Sequence, residues 1–96
     1  MDEIKNELLE LGFNPNSKGI VFWVEIIQLL KEDVKRNNVM NLYIEVAAMN
    51  NTKWTSVERA LRHSILPAKE KIKEKYKYDG RISNSAFINI IRLQMI

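Results

Sequence analysis

The chain has 96 residues, 46% of them apolar, with 15 Lys and Arg against 12 Asp and Glu, one His and no Cys. That length fits one domain with one compact core, and the missing cysteine excludes a disulfide framework and a thiolate metal site. The longest apolar run, Ile20 to Val24, is far short of the roughly 20 residues that span a bilayer, and the polar start M-D-E-I-K-N-E is no signal peptide, so a cytoplasmic protein with no membrane association is expected.

Helices are expected throughout, giving an all-α domain of five to six short helices over residues 1–96. Ile4, Leu8, Leu9 and Leu11 make the first one amphipathic, with Asp2 and Glu3 favourable near its amino end. Gly12 stops it, and F-N-P-N-S supplies turn residues. Ser17 is a cap for a second helix carrying apolar residues nearly all round, from Ile20 through Leu30, which marks the buried centre of the fold. The polar patch K-E-D-V-K-R-N-N interrupts the pattern. A third helix is expected from about Asn41 to Met49, with Leu42, Val46 and Met49 on one face, then a turn at Asn50 to Thr52. A fourth begins near Trp54 and runs at least to Leu66, where Pro67 kinks or ends it. A lysine-rich helix from Ala68 to Lys77 follows, with Ile72 and Tyr76 lightly packed. Asp79–Gly80 is a turn. Ser83 or Asn84 caps the last helix, which carries Phe87, Ile88, Ile90, Ile91 and Leu93.

Charge is unevenly spread. Met1 to Asp33 sums to −4 and Val34 to Ile96 to +7, so the second part is the footprint a polyanion would use. On charge alone, a merely solvated surface is the simpler reading.

The segment Asn41 to Leu66 adds a more specific pattern: helix, short turn, helix. Ala47 sits where two helices pack closely. Asn51, four residues on, suits a left-handed backbone, and Val57, ten after Ala47, points into the core. This is the layout of a helix-turn-helix. On the second helix Val57, Ala60, Leu61, Ser64 and Ile65 form a buried stripe. Thr55, Ser56, Glu58, Arg59, Arg62 and His63 remain outside, with Lys53 and Trp54 at the helix start. A helix in the major groove needs short polar groups near its amino end and long cations beside them. Glu58 can accept from cytosine, Arg can grip guanine or phosphate, and Ser56 can bond to either kind of base-edge group. Glu58 and Arg62 also suit an ordinary surface ion pair. Trp54 suits packing against the turn, and a lone histidine is a poor metal site.

The string N-N-T-K-W-T-S-V-E-R-A-L-R-H resembles the recognition segment of the carboxy-terminal DNA-binding domain of the stage-zero sporulation protein A family. L-L-E-L-G-F-N-P-N-S-K-G and N-S-A-F-I resemble that domain's opening turn and the start of its last helix, so the likeness touches nearly the whole chain. The resemblance implies a six-helix domain that binds double-stranded DNA as a bacterial transcription regulator in sporulation. It implies base readout by Glu58, and base or phosphate contacts by Arg59, Arg62 and His63. It further implies tandem or dimeric binding of two domains on adjacent sites, and contact with RNA polymerase. The family carries a base-reading arginine where Ser56 stands here, and a bidentate arginine is worth about 1–3 kcal/mol of discrimination. The segment after the recognition helix is shorter and lysine-rich here, in a region the family ties to polymerase contact. Met1 lies immediately before the first helix, so either an excised response-regulator effector domain or a stand-alone protein is expected.

The alternative is a protein-interaction module that pairs with or antagonises a full-length regulator, motivated by the apolar last helix ending F-I-N-I-I-R-L-Q-M-I. An enzyme is disfavoured. There is one histidine, no glycine-rich phosphate loop, and no pattern that brings two carboxylates into a cleft. No cofactor or metal is expected.

Overall fold

A computed structural model describes residues 2–33 and 38–96 and contains only helices, turns and loops among them. The helices are α1 (Asp2–Glu10), α2 (Lys18–Glu32), α3 (Val39–Met49), α4 (Trp54–Ser64), α5 (Lys69–Tyr76) and α6 (Asn84–Ile90). A 3-10 turn, Leu66–Ala68, joins α4 to α5, and a π-helical turn, Ile91–Met95, continues α6. The expected contribution of the Asp2 side chain, and residues 34–37 of the polar patch before α3, lie outside this described set.

α2 is the centre, as its all-round apolar pattern requires. Ile20, Phe22, Trp23, Ile26, Ile27 and Leu30 are buried, and only Val21 among its large apolar residues faces out. Ser17 caps it, its Oγ accepting from Ile20 N at 3.3 Å. Trp23 lies edge-on to Phe87 of α6, with centroids 4.9 Å apart, and to Phe13 of the α1–α2 loop at 6.4 Å. Phe13 stacks on Phe87 at 5.8 Å. This aromatic trio ties the loop, α2 and α6 into one core.

α2 packs most extensively on α4. The two helices meet at Gly19, where an added Cβ would overlap the Ala60 carbonyl oxygen and the Ser64 side chain. Beside this crossing, Trp23 Nε1 donates to Ser64 Oγ at 3.0 Å, and Ser64 Oγ donates to the Leu61 carbonyl at 2.8 Å. A buried indole N–H and a buried hydroxyl thereby satisfy each other.

Several expected boundaries shift, each for a local reason. α3 starts at Val39 rather than Asn41, because Asn38 caps it through Oδ1, which accepts from Asn41 N at 3.2 Å. Met49, expected on the inner face with Leu42 and Val46, is 53% exposed as the last residue of α3. α4 stops at Ser64 rather than reaching Leu66. Pro67 lacks an N–H and would crowd the carbonyl four residues back, so the chain tightens into the 3-10 turn, with Ala68 N bonding the Ile65 carbonyl at 3.0 Å. The next helix spans Lys69 to Tyr76 rather than Ala68 to Lys77, and Lys77 ends it in a left-handed conformation (φ 52°). Ile72 and Tyr76 are buried, not lightly packed. Tyr76 Oη donates to Glu7 of α1 at 3.2 Å, which docks α5 on the core. Ser83, not Asn84, caps α6, its Oγ accepting from Ala86 N at 3.1 Å. Phe87, Ile88, Ile90 and Ile91 are buried as expected, but Leu93 is 81% exposed. The five-residue bonding of the π turn, such as Ile96 N to the Ile91 carbonyl at 3.1 Å, breaks the helical period that grouped Leu93 with Ile90.

Candidate nucleic-acid interface

The site begins with the turn between α3 and α4. Asn51 has φ 52°, the left-handed conformation expected of it. Asn51 N bonds the Ala48 carbonyl at 3.4 Å and Thr52 N bonds the Ala47 carbonyl at 3.0 Å. Those two bonds are the 5→2 and 6→1 pairs of a Schellman motif, which closes α3 and redirects the chain. Asn50 reinforces it, Nδ2 donating to the Val46 carbonyl at 2.8 Å and to Glu25 of α2 at 2.9 Å. Asn50 to Lys53 lie outside both helices, one residue more than the expected turn. Lys53 has no side-chain acceptor to offer. It caps α4 through its extended backbone alone, its carbonyl accepting from Ser56 N at 3.0 Å and Val57 N at 3.2 Å.

α4 divides as its sequence dictates. Val57, Leu61, Ser64 and Ile65 are buried and Ala60 is half-buried, while Thr55, Ser56, Arg59, Arg62 and His63 are exposed. Lys53 is exposed beside them, and Trp54 is 41% exposed, so it does not close the turn as a core residue would. Glu58 is half-buried. Arg62 grips it from one turn on, Nε to Oε2 at 3.0 Å and a terminal nitrogen to Oε1 at 3.4 Å. The pair that the spacing allowed is therefore formed. Arg62 and His63 also lie in the last turn of α4, where cations complement the helix dipole.

Three features around α4 have no clear mark in the sequence. Lys18, at the amino end of α2, borders an open groove of about 510 Å³ that Asn51, Thr52 and Ser56 also line. Lys18 flanks His63 in a second, adjoining groove. Asn84, from α6, donates its Nδ2 to the Glu58 carbonyl at 3.2 Å. Tyr43 of α3 approaches the same place. Burial pushes its hydroxyl above the usual tyrosine range, the Asn84 amide opposes that shift, and the Glu58 charge adds to it. Only the buried stripe containing Ser64 hinted at how α4 is held.

No group of three or more His, Asp or Glu side chains converges as a metal site among the described residues. No helix among them is long and apolar enough to cross a membrane.

Together these features define a helical domain in which α4, set off from α3 by a tight turn, presents one polar, cationic face outward. The chain matches the family described as "Sporulation initiation factor Spo0A C terminal" over residues 4–95, and it belongs to that family. The family is one of DNA-binding regulator domains of sporulation, not of enzymes. Among curated proteins, none matches this chain.

Proposed function

We propose that the chain acts as one sequence-specific DNA-binding unit of a bacterial transcription regulator, with α4 in the major groove. The observation that carries the reading is the exposed band of α4, set opposite a stripe locked into the core. In this reading Ser56, Glu58 and Arg59 meet base edges near the middle of the helix. Lys53, Thr55, Arg62 and His63 hold flanking phosphates, and Trp54 covers sugar or base surface at the helix start. Two copies bind adjacent sites in tandem, and the regulator touches RNA polymerase while so placed.

The test is fluorescence anisotropy with the family's operator and a scrambled duplex at two salt concentrations. If about four phosphates are neutralised, the log–log salt slope is about −3.6, or roughly a hundredfold weaker binding from 50 to 200 mM salt. Operator-selective, salt-sensitive binding is expected. Arg59→Ala and Arg62→Ala together should weaken it at least tenfold without unfolding the domain. Unchanged binding by that double variant would mean that another face contacts DNA.

A second reading has its own observation. Leu93 and Ile96 at the end of the chain are exposed, as are Met40 and Ile44, one turn apart on α3. Apolar surface of this kind suits a protein partner, so the domain also pairs with a regulator chain. A concentration-dependent sedimentation coefficient, abolished by Leu93→Lys, is the expected result for self-pairing.

A further inference from the structure

Asn84 is the first residue of α6, the helix that carries the Phe87 anchor, and it is only 7% exposed. Its amide reaches across to α4 and donates to the Glu58 carbonyl at 3.2 Å. That carbonyl belongs to a helix interior, so it already has its own acceptor duty along α4, and Asn84 uses its second lone pair. The donation also fixes the orientation of the amide, since the flipped form would oppose two oxygens. Its Oδ1 is buried, and the Asn84 side chain also hydrogen-bonds with the Tyr43 hydroxyl of α3.

Asn84 is itself held rigidly. Ser83 caps α6 immediately before it, the Ser83 carbonyl accepts from Phe87 N at 2.9 Å, and Phe87 sits inside the aromatic trio. Tyr43, Glu58 and Asn84 line a common cavity of about 190 Å³ with Arg62 at its edge. Asn84 thus links the core end of α6 to one backbone point on the outward helix, the residue whose carboxylate Arg62 holds.

We infer that Asn84 is a positioning residue for base readout: it fixes the height and rotation of α4 at Glu58 and so sets discrimination at the base pair Glu58 meets. The inference rests on the DNA reading above. A complete base contact gives roughly 5- to 150-fold discrimination. Asn84 acts only through position, so its removal should forfeit part of that.

The test measures binding of the wild type, Asn84→Ala, Glu58→Ala and the double variant to the operator and to duplexes with each base pair changed in turn, over a salt series. Asn84→Ala should lower discrimination roughly threefold to tenfold, a fraction of a full contact, at the same single base pair that Glu58→Ala relaxes. Its salt slope should match the wild type, and in the Glu58→Ala background it should lower discrimination no further. An equal loss on every duplex, or a loss that persists without Glu58, would show a structural residue and overturn the inference. Should Asn84→Ala fail to fold, Asn84→Leu keeps the approximate shape without the donor and carries the same comparison. No DNA binding by the folded wild type would overturn the underlying reading and this inference with it. Sequence-selective binding with discrimination unaltered by Glu58→Ala would overturn the inference and the base contact assigned to Glu58, while leaving DNA binding by the domain in place.

Discussion

Gly19→Ala sets two effects of opposite sign against each other. Gly19 is the second residue of α2, and replacing glycine by alanine in a helix ordinarily gains up to about 1 kcal/mol, less at the first turn. The structure predicts the reverse. The new methyl would overlap the Ala60 carbonyl oxygen, which is backbone, as well as Ser64 Cβ and Oγ. A flexible side chain could swing away, but a carbonyl within α4 cannot. The two helices must part by on the order of 1 Å to restore ordinary van der Waals contact. Overpacking of this kind costs about 1–3 kcal/mol. Stretching the Trp23–Ser64 bond, which lies beside the crossing, adds to that. The net is a loss of about 1–2 kcal/mol, or roughly 5–15 °C in Tm for a domain of this size. Thermal unfolding followed by circular dichroism reads it directly. Gly80→Ala is the control. Its Cβ would meet the Tyr78 ring first, at 2.9 to 3.1 Å, a partly exposed side chain at the edge of the core rather than backbone. A Gly19→Ala variant as stable as the wild type would refute the close crossing of α2 and α4.

Two further substitutions follow from the same physics. Asn51→Gly should be neutral or slightly stabilising, whereas Asn51→Val should cost about 1–2 kcal/mol, because a β-branched residue resists the left-handed backbone that the Schellman turn requires. Urea midpoints at matched m-values would check both. Tyr76 titrates well above the ordinary tyrosine range, chiefly through burial, then through the Glu7 charge and the hydrogen bond to it. The unfolded chain releases this proton near pH 10 while the folded chain retains it, so the stability is fully present below pH 10 and falls above it. The slope approaches about 1.4 kcal/mol per pH unit for the group. Tyr76→Phe should flatten the alkaline decline of the urea midpoint, and an unaltered decline would mean that Tyr76 is not the group responsible.

The sequence made the helical pattern and the two faces of α4 legible because both depend on local periodicity. Val57 and Leu61 had to be inside once α4 was a helix, and Arg59 and His63 outside. Asn51 was legible for the same kind of reason, since few residues tolerate its backbone. What stayed hidden depends on which helices touch. Ile72 and Tyr76 lie in a lysine-rich run that reads as a solvated surface, and only the docking of α5 against Glu7 of α1 shows them as core. Asn84 gives no local sign of reaching Glu58, 26 residues away. Leu93 fits an apolar helical stripe in sequence, but the π turn rotates it into solvent.

The Glu58–Arg62 pair can be weighed against the proposed readout by counting lone pairs. In sequence, ion pairing and base contact looked like competing uses for Glu58. A carboxylate offers about four acceptor positions, and Arg62 engages one on each oxygen. Positions remain on both oxygens, which in the proposed reading would serve the amino group of a cytosine. As stabilisation, an exposed pair four residues apart is worth only about 0.3–0.5 kcal/mol, too little to explain a bidentate grip on its own terms. Its larger consequence is conformational. In the proposed reading, Arg62 restricts the carboxylate before DNA arrives, so that less side-chain freedom would be lost on binding. Asn84 holds the carbonyl of the same residue, so backbone and side chain of Glu58 are both constrained, from α6 and from α4. In the same reading, Ser56 is too short to make the bidentate contact of an arginine, so a greater share of specificity would fall on Glu58 and Arg59. Glu58→Gln tests this division of labour. It keeps the shape but weakens the Arg62 grip and adds donors, so it should relax selectivity for C·G at one position while leaving the salt slope unchanged. A change confined to the salt slope would assign Glu58 to electrostatics rather than readout.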